Sequence, residues 1–412
     1  MKKANLVLST ATCILLSTSS LCTAKQATLM PGWNLELGLR AHAGVSDVNY
    51  SDSSTLSPVK DEINDEHPDY YTGNISIDPS YIWESQHAGS FQLKLHTQIQ
   101  LEDPWLDNDR IDELSLELMS KRYGTLYLGE DDGAADKMRS PQAGRVGIAI
   151  GHNGPRGIIS WWGNLPYAGG FGRDDMFDWS NRIVSGDWRA FERDTHDAIK
   201  IGYLSPRLKE GWHFGASINL QDTYAGYDGK GSAPSKQDRW NDIRVRGDEY
   251  ELAAKWHGKT TKGWILDAGI THVSVHSVNK DVRQVNTDGG FKAGRKLTNG
   301  TRVNASAYYA RQKYTADNRK REIGSQMHLG FDWSVQKWKI GMNYFRAWES
   351  WNPTYTVKLG GGGNEGYSVG IDYRAIKGLT ISIGIADVRN ESGEEATEIG
   401  TNITYKYKTL LN

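Results

Sequence analysis

Glu130, Asp131, Asp132 and Asp136 fall within seven residues of the stretch "KRYGTLYLGEDDGAADKM". Carboxylates this close can hold a hard cation, divide acid and base work between them, or simply solvate a loop. A second group lies in "SWWGNLPYAGGFGRDDMFDWSNR". There Trp161, Trp162 and Trp179 stand beside Asp174, Asp175 and Asp178, and flat rings next to carboxylates suit stacking on sugar rings. The bland alternative is that so long a loop packs its rings into a small core of its own. No twelve-residue EF-hand spacing and no His-Glu-x-x-His is present. His196 beside Asp197, and His152 near Ser160, are neighbours in sequence only, which is poor grounds for a triad. The residues therefore point away from an enzyme and call for no cofactor or metal.

What must position these groups is legible in the rest of the chain. Residues 1–24 have the form of a secretory signal: Lys2 and Lys3, a short apolar run, and "CTA" before Lys25. Both cysteines, Cys13 and Cys22, lie inside it, so residues 25–412 are expected to hold no disulfide. That remainder carries 46 basic and 50 acidic residues, with no basic excess for nucleic acid. It is polar on average, yet the chain has 15 Trp, 20 Tyr and 45 Gly, too many aromatics for a disordered polymer. No later apolar run is long enough for a membrane helix. Polar, aromatic-rich, glycine-rich and exported is the profile of an outer-membrane β-barrel, whose strands wet one face and grease the other.

Alternation supports this. In "FQLKLHTQIQLE" the residues Phe91, Leu93, Leu95, Ile99 and Leu101 share one face, with Lys94, His96 and Glu102 on the other. The same period recurs in "MHLGFDWSV", "YSVGIDYRA" and "LTISIGI". It predicts an all-β, 16-stranded antiparallel transmembrane barrel. Its strands fall near 33–45, 70–83, 90–101, 110–119, 124–130, 197–204, 211–221, 247–257, 263–276, 287–297, 301–314, 323–335, 337–349, 366–376, 379–389 and 399–408.

Connections after even-numbered strands are short, such as "KRY", "PRLKE" and "KG". Those after odd-numbered strands are long, and the one after strand 5 covers about 131–196. Short periplasmic turns and long extracellular loops are the barrel pattern. Trp83, Trp212, Trp256, Trp264, Trp338, Tyr405 and Tyr407 lie near strand ends, where outward aromatics form interfacial girdles.

Three stretches resemble the Gram-negative general porin family of trimeric 16-stranded channels: "YGTLYLGEDDGAADKM", "DAIKIGYLSPRLKEGWHFGASI" and "LTISIGIADVRN". The chain departs from the family at its end, where Tyr407 is followed by "KTLLN" rather than a terminal aromatic, and in its short second loop "DPWLDNDR". The resemblance implies a homotrimer in the outer membrane, in contact with its lipid, passing small hydrophilic solutes and ions by diffusion. It also implies that the third loop folds into the lumen and narrows it. Glu130, Asp131, Asp132 and Asp136 would then face wall cations that alternation places inward: Arg40, Lys94, Arg302 and Arg374, with His42 and His96 beside them. Opposed charges would set up a transverse field across the passage. Glu36, Glu113, Glu117, Asp267, Asp332 and Asp372 also fall on inward faces, which leaves charge selectivity open, with the overall charge favouring cations weakly. A sugar-selective channel using Trp161, Trp162 and Trp179 is the variant reading, and a barrel that merely anchors a surface protein or enzyme is the remaining one.

Overall fold

The computed structural model describes residues 30–50, 69–86, 89–101, 111–139, 142–144, 146–147, 199–220, 247–277, 282–297, 300–316, 319–349, 364–390 and 395–411. Sixteen strands close into one barrel. The first four are β1 (Trp33–Tyr50), β2 (Asp69–Ser85), β3 (Gly89–Leu101) and β4 (Ile111–Ser120). The lowest part of the wall follows with β5 (Gly124–Glu130), β6 (Ile199–Leu204) and β7 (Trp212–Asn219). Then come β8 (Gly247–Lys259), β9 (Trp264–Ser277), β10 (Val282–Lys296), β11 (Arg302–Ala316) and β12 (Arg319–Val335). The last are β13 (Trp338–Glu349), β14 (Asn364–Ile376), β15 (Leu379–Asn390) and β16 (Glu395–Leu411). Each pairs antiparallel with the next, and β1 closes on β16 in a register that sets Leu39 against Tyr407 and Arg40 against Lys406.

The barrel is inside-out relative to a soluble protein. Its outer surface shows Leu116, Leu128, Phe331, Met342 and Ile383, the last 53% exposed. Its interior buries Ser115, Lys200, Glu251, Asp332 and Asp372, with Asp332 2% exposed. Strand alternation sorts the side chains this way, and only an apolar solvent makes the outer face favourable. At the turn end, outward rings form a ladder. Tyr81, Trp83, Phe91 and Tyr123 stack in sequence with centroids 6.2, 5.6 and 6.1 Å apart.

Several strands run further than alternation suggests. β1 continues to Tyr50 rather than 45, β12 begins at Arg319 rather than 323, and β16 spans Glu395–Leu411 rather than 399–408. The apolar outer face stops where hydrocarbon stops, but ladder hydrogen bonds carry the hairpins on into water. "RKREIGSQ" at the start of β12 is such a polar extension. Conversely, β5, β6 and β7 hold 7, 6 and 8 residues. A strand needs about 9–11 residues to cross the hydrocarbon layer. The wall is lowest where the chain leaves it after β5. One helical turn, α1 (Ala134–Lys137), lies in that departing segment and was not expected.

Candidate pore constriction

β5 ends because the chain turns inward. Residues 131–139, 142–144 and 146–147 lie against the inner wall, fastened strand by strand. The Ala134 amide donates to Ser217 Oγ on β7 at 2.9 Å, and the Ala135 amide to Glu251 Oε2 on β8 at 2.7 Å. Lys255 Nζ donates to the Arg139 carbonyl at 3.1 Å. Further on, the Ala143 amide donates to Ser306 Oγ at 2.8 Å, the Gly144 amide to Asp332 Oδ2 at 3.0 Å, and the Gly147 amide to Asp372 Oδ1 at 2.8 Å. Asn402 on β16 reaches the Gly147 carbonyl at 3.4 Å. Backbone donors buried away from water need partners, and the wall supplies them as side-chain oxygens.

The wall also makes room. A Cβ built on Gly330 would meet the Ala143 carbonyl, one on Gly341 would meet Val146, and one on Gly370 would meet Val146 and Gly147. Gly144 and Gly147 themselves take φ of +85° and +67°, and a side chain on either would strike wall backbone. The result is a repeat. "GFD" on β12 and "GID" on β14 each offer a flat glycine and, two residues on along the same face, an aspartate that receives one loop glycine amide.

The predicted acids are placed unevenly. Glu130 lies on the outward register of β5, across from Leu114 and Ile199, so it does not join the lumen cluster; it is the last alternating residue before the turn. Asp131 is fully buried. It accepts from Ser115 Oγ at 2.6 Å and from the Asp132 amide at 2.7 Å, and it pairs with Lys137 Nζ at 2.5 Å. Asp136 pairs with Arg139 at 3.0 Å. Burial works against the Lys137 ammonium, but Asp131, with Asp132 and Glu117 behind it, outweighs this and holds its pKa above the ordinary lysine value. Two of the loop acids are thus neutralised within the loop. Sequence reasoning saw the acids but had no means of pairing them with Lys137 and Arg139.

The predicted wall groups divide similarly. Lys94 is bound to Glu117 at 2.5 Å. His96 sits between two carboxylates, Nδ1 at 2.7 Å from Asp78 and Nε2 at 2.8 Å from Glu113. A ring donating to both carries both protons and a positive charge. Arg302 and Arg374 lie exposed toward the turn end of their strands, Arg302 donating to Asn304, which in turn donates to Asp332, and Arg374 two residues along the same face from Asp372. They are inward by alternation, one pleat nearer the turns than the residues that hold the loop. Arg40 is exposed on the inner face of β1, opposite Lys406, a cation the sequence reading passed over. His42 occupies the inward register between Thr72 and Thr404, its side chain outside the described residues. Trp161, Trp162, Trp179, His152, Ser160, His196 and Asp197 also lie outside them. Among the acids read as selectivity groups, Asp332 and Asp372 are loop tethers, Asp267 binds His257 at 2.6 Å, and Glu36 binds Lys408 at 2.7 Å. "GYSVG", Gly366–Gly370, has the spelling of a nucleophile elbow, but it lies within β14 rather than at a strand-to-helix turn.

The described loop residues are held along an arc of wall from β4 to β16, which leaves β1, β2 and β3 facing them. A closed barrel with apolar exterior, polar interior and an inward loop defines a transmembrane β-barrel channel. From residue 10 to residue 406 the chain matches the Gram-negative porin family, and it belongs to that family. Its fold is similar to that of OmpT, an outer membrane protein of Vibrio cholerae, solved with its loop L8 deleted. That structure aligns at 10% identity and a TM-score of 0.52, over 91% of this chain and 100% of the other. The anion-selective porin from Comamonas acidovorans aligns at 11% identity and a TM-score of 0.52, over the same shares. At such identity the likeness is one of fold. None of the curated proteins matches the chain. Family membership makes the protein a porin of the outer membrane.

Proposed function

We propose that the protein is a passive, non-enzymatic channel whose passage runs between the inward loop and the wall of β1, β2 and β3. The observation that carries this is the fastened inward loop. Sixteen strands enclose a lumen wide enough for water, and a loop held by side chains on β7, β8, β11, β12, β14 and β16 sets its width. Within the loop, Asp131 pairs with Lys137 and Asp136 with Arg139, and on the facing wall Arg40 is the ladder neighbour of Lys406. The similarly folded Comamonas porin is anion-selective by its own description.

The short turns face the periplasm, residues 1–24 direct export and are removed, and residues 25–412 form the barrel. The low wall at β5–β7 is capped by neighbouring copies in a homotrimer, since strands of 7, 6 and 8 residues are too short for lipid to cover alone. Small hydrophilic solutes and ions cross by diffusion. Reconstitution into planar bilayers tests the reading. Stepwise conductance is expected, and pure, folded protein that gives no steps refutes it.

A further inference from the structure

The turn end of the barrel is strongly basic although the whole chain has a net charge of −2. Every hairpin turn from β4–β5 onward carries exposed cations: Arg122, Arg207, Lys262, Arg295, Lys337 and Lys377 mark them in order. Glu84 and Glu210 are the acids of the described turns. A solvated rim needs no such one-sidedness.

Three of these cations are not simply solvated. The Arg122 guanidinium lies 5.3 Å from the centre of the Tyr123 ring, Arg295 lies 5.8 Å from that of Trp264, and Lys337 Nζ lies 5.9 Å from that of Tyr373. The rings are on the outer flank. Tyr123 stacks on Phe91, Trp264 pairs across the ladder with outward Arg295, and Tyr373 packs on Trp338 at 4.5 Å. Lys337 is further fixed by donating to the Ala375 carbonyl at 3.0 Å. The three pairs are spread around the wall, at β4–β5, β9–β10 and β13–β14.

An aromatic ring at this level sits at the boundary of the apolar band, where its face is half in hydrocarbon. A cation held over the outer ring is then at headgroup depth and directed sideways into the lipid, not along the axis into the periplasm. The group that complements it there is a phosphate bearing net negative charge. We infer that the turn rim binds anionic phospholipid headgroups, at three flank sites built on Arg122/Tyr123, Arg295/Trp264 and Lys337/Tyr373. A polymer lying below the barrel would instead meet the axial cations, such as Lys296 and Arg302, which face each other on the inward register. The inference rests on the barrel lying in a bilayer as a porin does.

Native mass spectrometry of the protein released from nanodiscs of mixed phosphatidylglycerol and phosphatidylcholine tests it, with conductance measured on the same samples. The wild type is expected to retain phosphatidylglycerol preferentially. The variant Arg122→Gln/Arg295→Gln/Lys337→Gln is expected to lose that preference by about fivefold or more, the equivalent of about one surface cation's attraction. The variant Lys296→Gln/Arg302→Gln is expected to keep it. Folding of each is checked by heat-modifiable migration. Equal preference in wild type and flank variant overturns the proposal, as does equal loss in the inward-facing variant. Displacement of the lipid by inorganic phosphate or soluble peptidoglycan fragments shows a different ligand and also overturns it. Lipid preference without conductance refutes the channel reading alone, and conductance without lipid preference refutes this proposal alone.

Discussion

Removing the two aspartate tethers is expected to release the inward loop. Asp332 and Asp372 each accept one loop amide, from Gly144 at 3.0 Å and Gly147 at 2.8 Å. A hydrogen bond to a charged acceptor contributes about 1.5–3 kcal/mol. The two acceptors stand on β12 and β14 with β13 between them, so they are about 10 Å apart at ordinary strand spacing. At that separation their effects are close to additive. Asp332→Ala/Asp372→Ala therefore weakens attachment by about 3 kcal/mol at the lower bound, which multiplies the detached population by roughly 150 at about 1.4 kcal/mol per factor of ten. Val146 reports detachment directly. It lies between the two tethered glycines, is 1% exposed, and rests on Gly341. The natural cysteines are Cys13 and Cys22 alone, so refolded residues 25–412 carrying Val146→Cys present a single thiol. Its labelling by a water-soluble thiol reagent is expected to be slow with the tethers and about a hundredfold faster without them. Equal labelling rates in the two backgrounds, with the barrel folded in both, refute the tether argument.

Gly370→Val should reach the same end by steric means, because its side chain would displace Val146 and Gly147; labelling of Val146→Cys reads this too, and an unchanged rate shows the loop does not lie flat. Arg40→Glu should move the reversal potential toward cations in a salt gradient; an unchanged potential would place the narrowing elsewhere. Lys137→Met leaves buried Asp131 without its ammonium partner and should cost about 3–5 kcal/mol, read as a lower denaturant midpoint. Since folding raises the Lys137 pKa above its ordinary 10.5, its contribution is complete below about pH 10.5 and is lost as pH rises through the folded value. The stability gap between wild type and Lys137→Met should hold at neutral pH and close in strong alkali; a gap that closes below pH 9 contradicts the pairing.

The strands were legible because each carries its own signal. Leu93 and Leu95 point to lipid and Lys94 and His96 to the lumen whichever strand lies alongside, so alternation along one segment suffices. Turn and loop lengths added the order, and an antiparallel neighbour-to-neighbour barrel follows from short turns. Where the outer face turns polar, as in "RKREIGSQ", alternation ends before the strand does, and the boundaries were read short.

The constriction was legible only in part. The acids at 130–136 marked where the chain leaves the wall, but Glu130 differs from Asp131 by one step of the pleat and faces the other way. Arg40 and Arg302 read alike in sequence, and period two does not say that Arg302 donates to Asn304 beside the tether Asp332. Contacts such as Gly147 with Asp372 join residues more than two hundred positions apart. No local pattern encodes such a contact, although the paired "GFD" and "GID" runs are its trace. The sequence by itself determined the barrel, its two faces and the point where the loop departs. The tertiary structure decided which charges pair with which, because pairing depends on distance across the lumen and not on position along the chain.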